Sequence, residues 1–543
     1  MKRETKLVLL LAAGISLFLF LNLGQRPLWG VEGRWAEGVR EMMLRGSFWV
    51  PTINWTPHIT KPLIPYWLIR ASAETFGGLN EFTVRLPVAL CGVLTLLAFY
   101  ALSRRFFEPF FALVATGILT TSWGFAAYAR VAQSEIYQLA GIVSALAFYF
   151  HGRERQSFPL YLGFWLSAVF AALSKGLPGL TVPLLVAGID ALLYTRTRHL
   201  NIRAFLAGAI ALTLYLAHYY AIAKALKSEL PFYLFVRENL LQAVSPYDNR
   251  EPFYVYFYYV PMLLLPWTFF FLGAFVWALK RRASLGEKER LVLFAMGAVF
   301  LLFTLARARR SYYILPILPF CVLFIALYLR DVIHRPDRLS RLLFYGYRTI
   351  TLLVGFGLLL APFCWSLFRL PAEDSGLKIV AVLAGLLVLL ALLWCQFRAV
   401  PPWGLILAYL VLYVLGLSVF TPALSSPSEK IFGQTLSALA HQKNEVPCAL
   451  GKVSANLYFY LSFPRKIPVF SSIPELPSYC RLVFFRESFY KKKAAFLEVF
   501  KRGWILYGLN QQYLSRDRNK NYLLLAPADL PVSSPFEPYP WKK

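Results

Sequence analysis

The composition of the chain is that of a membrane protein. The chain has 543 residues, of which 58% are hydrophobic and 15% are charged, and its mean hydropathy is +0.54. A water-soluble globular chain of this length does not need so apolar a composition. The formal net charge of +28 would suit a nucleic-acid-binding protein, but the Lys and Arg residues fall mostly in short connectors between apolar segments rather than on one soluble face. The composition therefore excludes a soluble globular fold and argues against nucleic acid as a partner.

Apolar segments of bilayer length recur along the chain. A spanning helix needs roughly 20 mostly apolar residues, and about thirteen segments come close to this length. They are residues 7–23, 84–103, 109–127, 134–151, 158–173, 178–195, 203–222, 254–278, 290–306, 311–330, 347–369, 378–397 and 402–420. The first segment follows Lys2, Arg3 and Lys6 as a signal peptide would, but no small-x-small cleavage site comes after it. We therefore expect a retained first helix and an α-helical polytopic membrane protein with about thirteen transmembrane helices.

The basic connectors predict the orientation. Cationic connectors stay preferentially on the cytoplasmic side, and here every second connector is basic, as at Arg104 and Arg105, Arg153 and Arg155, and Lys280 to Arg282. This alternation places the N-terminus in the cytoplasm of a bacterial inner membrane. The connectors 24–83 and 223–253, and everything after about residue 424, are then expected in the periplasm.

The last part of the chain has a different pattern. A linker-like SSPSEK follows Pro422, and the strand-like runs CALGKV, KIPVF, RLVFF, WILYG and YLLLAP come after it. This alternation predicts a small C-terminal α/β periplasmic domain of residues 425–543, after a transmembrane domain of residues 1–424. Its two cysteines, Cys448 and Cys480, lie in an exported domain where a disulfide persists, so a bridge is expected; two buried thiols are the alternative. The motifs GxxxxGK[ST], CxxC and HExxH do not occur in the sequence.

The first predicted periplasmic connector is too polar to span a membrane and too aromatic to be a linker. Residues 32–45 have helical apolar spacing through Trp35, Val39 and Met42, and Gly46 closes the pattern. We expect an amphipathic helix lying along the membrane face. The connector 223–253 is also aromatic and charged, and both connectors are candidates for the walls of one outer cavity.

Motifs in these segments resemble one known group. The first connector contains Glu32-Gly-Arg34-Trp-Ala-Glu37, then Lys61-Pro62, then Arg85-Leu-Pro87. This order and spacing resemble the GT-C glycosyltransferases related to protein O-mannosyltransferases and to the lipid A aminoarabinose transferases (glycosyltransferase family 39-like). Further matches are YARVAQSE with Arg130 and Glu135, SKGLPG with Lys175, the stretch 237–267, and Thr304, Arg309, Tyr313 and Pro316 in FTLARARRSYYILP. The resemblance thus extends over most of the chain.

The resemblance implies transfer of a sugar from a polyprenyl phosphate donor to a lipid A, glycan or protein acceptor at the periplasmic face. It implies catalytic roles for Glu32 and Glu135, and substrate-binding roles for Arg34, Lys61, Arg130, Lys175, Arg309 and Tyr313. Acidic side chains could serve as a general base or help bind a divalent metal ion, for which no ligand set is assigned, and the cations could hold the donor phosphate. Membrane lipids are the remaining expected partners.

Two positions depart from the group's pattern. Val31 stands where the resemblance implies the first acid of a pair, and Thr60 precedes Lys61 where the aminoarabinose branch often has Glu. A noncatalytic relative that binds lipid-linked sugar is therefore an alternative function. A lipid or solute transporter is a further alternative, but ionisable groups are scarce in the middle of the predicted spans, where transporters usually place them. The candidate residues also have alternative roles that are purely structural. These are stabilisation of a helix N-terminus for Glu32, a solvated helix cap for Glu135, anchoring at the membrane interface for Lys61 and Arg309, and attachment of a loop for Arg34.

Overall fold

The computed structural model divides the chain into two compact units. It describes residues 3–153, 155–194, 201–363, 375–397, 401–491, 496–501, 503–515, 517 and 520–539. The first, which we call the helical unit, consists of Met1–Leu23, Thr60–Pro65 and Arg85–Thr421. The second, which we call the sheet unit, consists of Gly24–Ile59, Tyr66–Val84 and Pro422–Lys543. The C-terminal segment expected to form a domain by itself is thus one part of a unit that also takes in two N-terminal stretches.

Helices dominate the described residues. In chain order the α-helices are α1 (Arg3–Phe20), α2 (Glu32–Leu44), α3 (Ile64–Thr75), α4 (Glu81–Ser103), α5 (Pro109–Thr120), α6 (Trp123–Ala126), α7 (Ser134–Gly152), α8 (Phe158–Lys175), α9 (Pro178–Tyr194), α10 (Ile202–Leu226), α11 (Leu230–Val236), α12 (Gln242–Val244), α13 (Val255–Leu263), α14 (Thr268–Lys280), α15 (Glu287–Leu305), α16 (Leu318–His334), α17 (Arg338–Leu360), α18 (Ser375–Phe397), α19 (Pro401–Tyr413), α20 (Thr421–Leu424), α21 (Ser428–Lys443), α22 (Ala455–Leu461) and α23 (Leu497–Lys501). Short π-helices, Arg237–Leu241 and Val414–Phe420, continue two of them.

The helical unit is that of a multi-pass membrane protein. Within the described residues, seven helices are long and apolar enough to cross a bilayer, or up to eight if a bent pair is counted as one span, and three shorter helices are also apolar. Each of the thirteen predicted apolar segments overlaps a helix or a pair of consecutive helices. Residue 195 and residues 364–369, at the ends of two of these segments, lie outside the described residues. The positions of the apolar helices were therefore predictable, whereas the length of each was not.

One predicted span is wrong in shape. Residues 254–278 were expected to form a single helix, but α13 and α14 are bent by 112° relative to each other. Pro266 lies in the corner between them; proline has no backbone N–H to continue a helix and clashes with the preceding turn. The N–H of Trp123 donates to the carbonyl of Leu265 at 2.7 Å, which holds the corner in place.

The sheet unit contains a six-stranded sheet in which the expected C-terminal strands are confirmed. Its strand order is β4-β3-β5-β7-β6-β8, with β3 parallel to β4 and β5 and the other pairs antiparallel. A separate hairpin pairs β1 with β2. The strands are β1 (Thr52–Ile53), β2 (Thr56–Pro57), β3 (Pro447–Leu450), β4 (Val469–Phe470), β5 (Leu482–Arg486), β6 (Trp504–Leu509), β7 (Tyr522–Pro527) and β8 (Phe536–Pro538).

Both faces of this sheet are buried. On β5, Leu482 and Phe484 belong to one apolar cluster, together with residues of α21 and α22, whereas Val483 and Phe485 belong to another. Neighbouring side chains on a strand point to opposite faces, so a continuous apolar run is what a strand covered on both faces needs. The expected Cys448–Cys480 disulfide is present in the second cluster.

The amphipathic helix α2 packs inside the sheet unit. Its apolar residues Trp35, Val39 and Met42 are buried, and the helix packs against α22. The N–H of Gly33 donates to the side chain of Asn456 at 2.9 Å, and a Cβ at Gly33 would lie 2.3 Å from the Asn456 backbone nitrogen. The expectation that this helix lies along the membrane is therefore wrong for its apolar face, because a protein neighbour covers it.

Candidate functional site

A lysine and a glutamate meet where α7 begins and α8 ends. Glu135 lies in the first turn of α7, where the helix dipole favours an acid, and Lys175 is the last residue of α8. The Lys175 Nζ lies 3.2 Å from the Glu135 Oε1, and 14% of the lysine side chain and 5% of the glutamate side chain are exposed. A largely buried ion pair thus lies where the start of α7 meets the end of α8.

A glycine turn fixes the position of Lys175. Gly176 follows the helix with φ +145°, a conformation that side-chain-bearing residues rarely adopt. A Cβ there would lie 2.6 Å from the Asn239 Oδ1, which accepts a hydrogen bond from the Leu177 N–H at 2.8 Å. The SKGLPG motif is therefore a tight turn held by the segment that follows α11.

Lys61 forms a second ion pair beside the first. Its Nζ lies 3.6 Å from the Glu238 Oε2, and 32% of its side chain is exposed. Glu238 also accepts a hydrogen bond from the hydroxyl of Tyr247 at 2.6 Å. Lys61 is close enough to Lys175 for the two positive charges to repel each other. Two cations therefore lie in one region, and each faces a carboxylate.

Two tyrosines complete the surroundings of Lys175. The ammonium group lies 5.0 Å from the ring centroid of Tyr313 and 5.5 Å from that of Tyr312, within the range of cation–π attraction. The Asn249 Nδ2 donates to the Tyr313 hydroxyl at 3.1 Å. The phenol hydroxyl of Tyr313 can itself donate a hydrogen bond.

The two neighbouring arginines have different surroundings. The guanidinium of Arg309 donates to the carbonyl of Thr304 at 2.9 Å and to that of Glu251 at 2.9 Å, so it ties two backbone segments together. Arg310 is exposed, and its Nε donates to the Asn249 Oδ1. Arg310 is thus better placed than Arg309 to meet an anion from outside the protein.

Arg130 lies at the end of another helix. Its guanidinium donates to the carbonyl of Leu21 at 2.7 Å and to that of Phe18, at and just beyond the C-terminal end of α1. The last carbonyls of a helix have no partner within the helix, and the buried Arg130 satisfies one of them, together with a carbonyl just beyond the helix. These two contacts give Arg130 a structural role. Its role in substrate binding stays a prediction.

Glu32 and Arg34 belong to the sheet unit. Glu32 is fully buried at the start of α2, with its Oε2 3.2 Å from Arg26 and accepting from the N–H of Trp29 at 3.1 Å, whereas Arg34 is exposed. Further along α2, Arg40 binds Glu37 with two hydrogen bonds of 2.6 and 2.7 Å. Burial raises the pKa of Glu37 to about 7 although the Arg40 contact lowers it.

Known proteins are similar to this chain in sequence and in structure. A protein of Aquifex aeolicus is 29% identical over 320 residues, covering 58% of this chain and 62% of its own length. The undecaprenyl phosphate-alpha-4-amino-4-deoxy-L-arabinose arabinosyl transferase of Aeromonas hydrophila is 32% identical over 311 residues, covering 55% of each chain. The crystal structure of ArnT from Cupriavidus metallidurans bound to undecaprenyl phosphate matches with a TM-score of 0.75 at 20% identity, covering 97% of this chain and 99% of that one.

The chain has the GT-C fold of the ArnT structure. A more distant member of the GT-C fold, the oligosaccharyltransferase of Archaeoglobus fulgidus, matches with a TM-score of 0.52 at 12% identity, over 93% of this chain and 73% of that one. The family model for dolichyl-phosphate-mannose-protein mannosyltransferases matches residues 60–220. This range contains Lys61, Glu135 and Lys175. The chain spans about three fifths or less of the length of the first two relatives named above.

The region around Lys175 thus brings together some of the predicted residues. Lys61, Glu135, Lys175 and Tyr313 lie in one cluster of the helical unit, and Arg309 borders it through the Asn249 segment. Sequence reasoning missed the contributions of Glu238, Asn239 and Asn249, although the motifs RENL and SPYDNRE carry all three. Polar residues crowded into an otherwise aromatic connector were the signal available.

A metal is not assigned to the cluster. Within the described part of the chain, no three His, Cys, Asp or Glu side chains converge as metal ligands would. Glu135 and Glu238 each face a lysine, and a cation at that distance competes with a metal ion for the carboxylate oxygens. The residues present here do not fit a divalent metal site of the kind that the sequence allowed.

Proposed function

We propose that this protein is a membrane glycosyltransferase that moves a sugar from a polyprenyl phosphate donor to a lipid, glycan or protein acceptor at the periplasmic face. The observation that carries the proposal is the pair of neighbouring lysines, Lys175 at the end of the membrane helix α8 and Lys61 in the loop that precedes α3. Two cations that face separate carboxylates can turn toward a phosphate without leaving the cluster. The names of the relatives favour undecaprenyl phosphate as the lipid carrier and an amino sugar as the transferred group.

The lysines would act mainly on the leaving group. In the donor, the phosphate is a diester with one negative charge. As the acceptor oxygen forms a bond to the anomeric carbon, the bond from that carbon to the phosphate oxygen breaks, and its electron pair goes to the phosphate. Lys61 and Lys175 stabilise this added charge, and Arg310 and the Tyr313 hydroxyl are placed to help.

Glu135 is our candidate for the proton acceptor. A hydroxyl acceptor must lose its proton during transfer, and Glu135 lies beside Lys175, in contact with the proposed phosphate site. An acceptor that attacks through a phosphate oxygen would need no base. Glu32 stays the other predicted catalytic acid, and its burial and ion pair with Arg26 in the sheet unit support a structural part for it.

The orientation forms part of the same proposal. Glu135 lies in the first turn of α7, and the basic residue Arg153 follows the other end of this helix. Lys280 and Arg281 likewise lie at the end of α14. If these basic ends are cytoplasmic, as the positive-inside rule predicts, the Lys175 end is periplasmic, and the N-terminus is in the cytoplasm of the inner membrane.

A second candidate function is a noncatalytic protein that binds lipid-linked sugar. Val31 and Thr60, which replace acidic residues in the pattern of the group, favour it. It predicts the same binding of polyprenyl phosphate by the lysines without turnover.

Transfer by the purified full-length chain separates the two candidates. The measurement is the initial rate of sugar transfer from a panel of undecaprenyl phosphate sugars to lipid A and other membrane acceptors, for the native chain and Glu135→Gln. Glu289→Gln is the matched control, since Glu289 pairs with Arg330 at 2.9 Å near the start of α15, the helix whose far end leads to Arg309. We expect a loss of about 100-fold or more for Glu135→Gln and no loss for Glu289→Gln. Donor binding without any transfer would favour the noncatalytic candidate.

A further inference from the structure

A cavity in the helical unit is separate from the lysine cluster. It has a volume of about 500 Å³ and lies between the end of α7, the first half of α8, the middle of α9 and the start of α10. Phe148, Phe164, Leu184 and Phe205 are among its mostly apolar walls. The volume is in the range of small-molecule binding pockets. The composition of the walls calls for a hydrocarbon occupant.

The position of the cavity excludes it as part of the donor phosphate site. The residues of α8 that line it are Tyr161, Phe164 and Trp165, whereas Lys175 is the last residue of that helix. The helix rises about 1.5 Å per residue, so roughly 16 Å separates Phe164 from Lys175 along the axis. The cavity therefore belongs to the opposite end of the helix.

The bilayer is the neighbour that covers this surface. Both α8 and α10 are long and apolar enough to cross a membrane. At the cavity, Leu184 is 40% exposed and Phe205 is 75% exposed. Large apolar side chains exposed on spanning helices face lipid chains, and a chain from the adjoining leaflet can enter the cavity sideways.

The rim of the cavity is polar and cationic. Asn201 donates to the hydroxyl of Tyr161 at 2.9 Å, and the exposed Arg203, between two lining residues of α10, donates to the carbonyl of Gln156 at 3.1 Å. Arg153, by contrast, pairs with Asp190 at 3.2 Å and with Glu287 at 2.6 Å. An exposed arginine above an apolar cavity matches a lipid with an anionic head group.

We propose that this cavity binds one acyl chain of an anionic phospholipid, with the phosphate group of the lipid against Arg203. The bound lipid bridges α7, α8, α9 and α10 and stabilises the helical unit increasingly as the lipid concentration exceeds its dissociation constant. The site is independent of sugar transfer and lies at the other end of the helices that carry Glu135 and Lys175.

Lipid binding to purified full-length variants tests the proposal. The measurement is native mass spectrometry of protein titrated with phosphatidylglycerol or phosphatidylcholine. Ala204→Trp, which fills the cavity, is expected to weaken phosphatidylglycerol binding about tenfold, or about 1.4 kcal/mol. Ala209→Trp, at an exposed alanine of the same helix outside the cavity, is the matched control. Arg203→Gln is expected to remove the preference for phosphatidylglycerol over phosphatidylcholine while leaving chain binding in place.

Photolabelling of the native chain gives a second, independent measurement. Phosphatidylglycerol with a diazirine in its acyl chain should label peptides from residues 148–165 and 201–205, and unlabelled phosphatidylglycerol should compete. Equal binding of phosphatidylglycerol by Ala204→Trp and Ala209→Trp would overturn the proposal. So would labelling that undecaprenyl phosphate competes away better than phosphatidylglycerol, because the occupant would then be a prenyl chain.

Discussion

The two units contain groups of acidic and basic side chains that differ in how the charges are held. In the helical unit, Lys61 and Lys175 each face a carboxylate through a single contact of 3.2 to 3.6 Å. In the sheet unit, Arg40 holds Glu37 through two hydrogen bonds of 2.6 and 2.7 Å and lies 3.8 Å from Glu41. Lysine is a compact charge on a rotatable stem, whereas the planar guanidinium is fixed by a bidentate contact. The first group is suited to exchange a carboxylate for a phosphate, and the second is suited to hold a fold.

The largest expected effect of a single substitution falls on catalysis. Lys175→Met removes the cation that we propose to stabilise the leaving phosphate, and the rate of sugar transfer should fall about 1,000-fold. The measurement is the initial rate at saturating donor. Lys288→Met, at an exposed lysine near the start of α15, should transfer sugar at the native rate; a comparable loss in both variants would contradict the assignment of Lys175.

Substitution in the sheet unit should act on stability instead. Arg40→Met leaves the buried Glu37 and Glu41 without their cation, and breaking a buried ion pair costs about 3–5 kcal/mol. Thermal unfolding of the purified chain should occur at a clearly lower temperature, while the transfer rate of the molecules that remain folded should be unchanged. An unchanged unfolding temperature would show that the guanidinium is not needed to hold this part of the unit.

The stability of the sheet unit should also depend on pH through Glu37. The pKa of Glu37 is raised from 4.5 to about 7 in the folded state, so the folded chain binds more protons than the unfolded chain between these values. The contribution of Glu37 to the free energy of unfolding is therefore full below pH 4.5 and is lost as the pH rises to about 7. The difference in unfolding free energy between native and Glu37→Gln protein should shrink or reverse over this range, and a constant difference would contradict the prediction.

The smallest expected effect concerns the rim of the lysine cluster. Arg310→Gln removes an exposed cation, and we expect the KM for donor to rise a few-fold with little change in kcat, since an exposed charge contributes about 1 kcal/mol or less. Arg309→Gln should instead lower thermal stability, because Arg309 binds the carbonyls of Thr304 and Glu251. A raised KM in Arg309→Gln together with a lowered stability in Arg310→Gln would contradict this assignment and make Arg309 the residue that meets the donor.

Much of the fold could be predicted from apolar patterning. The apolar segments predicted the helices, and the apolar runs at residues 482–485 and 523–525 predicted strands. The bend at Pro266 could not be predicted from the sequence, because a proline in an apolar run is compatible with either a kinked helix or a sharp corner between two helices. The position of α2 could not be read either, because the same apolar stripe suits a membrane surface and a protein neighbour.

The candidate site was predictable in part. Lys61, Glu135, Lys175 and Tyr313 came from motifs, and the structure places them in one cluster. Which of two adjacent arginines is available to a ligand depends on the backbone carbonyls nearby, so the sequence favoured Arg309 where the structure favours Arg310. Glu238 and Asn239 are partners of residues distant in the chain, and no local pattern specifies such pairs.

Binding of undecaprenyl phosphate tests the central claim most directly. The dissociation constant would be measured in nanodiscs for the native chain, for the double variant Lys61→Met/Lys175→Met, and for Arg40→Met. We predict that the double variant binds about 100-fold more weakly, as expected for the loss of two charge-assisted contacts of roughly 1.5 kcal/mol each, and that folded Arg40→Met binds like the native chain. Native affinity in the double variant would contradict the assignment of the two lysines to the donor phosphate.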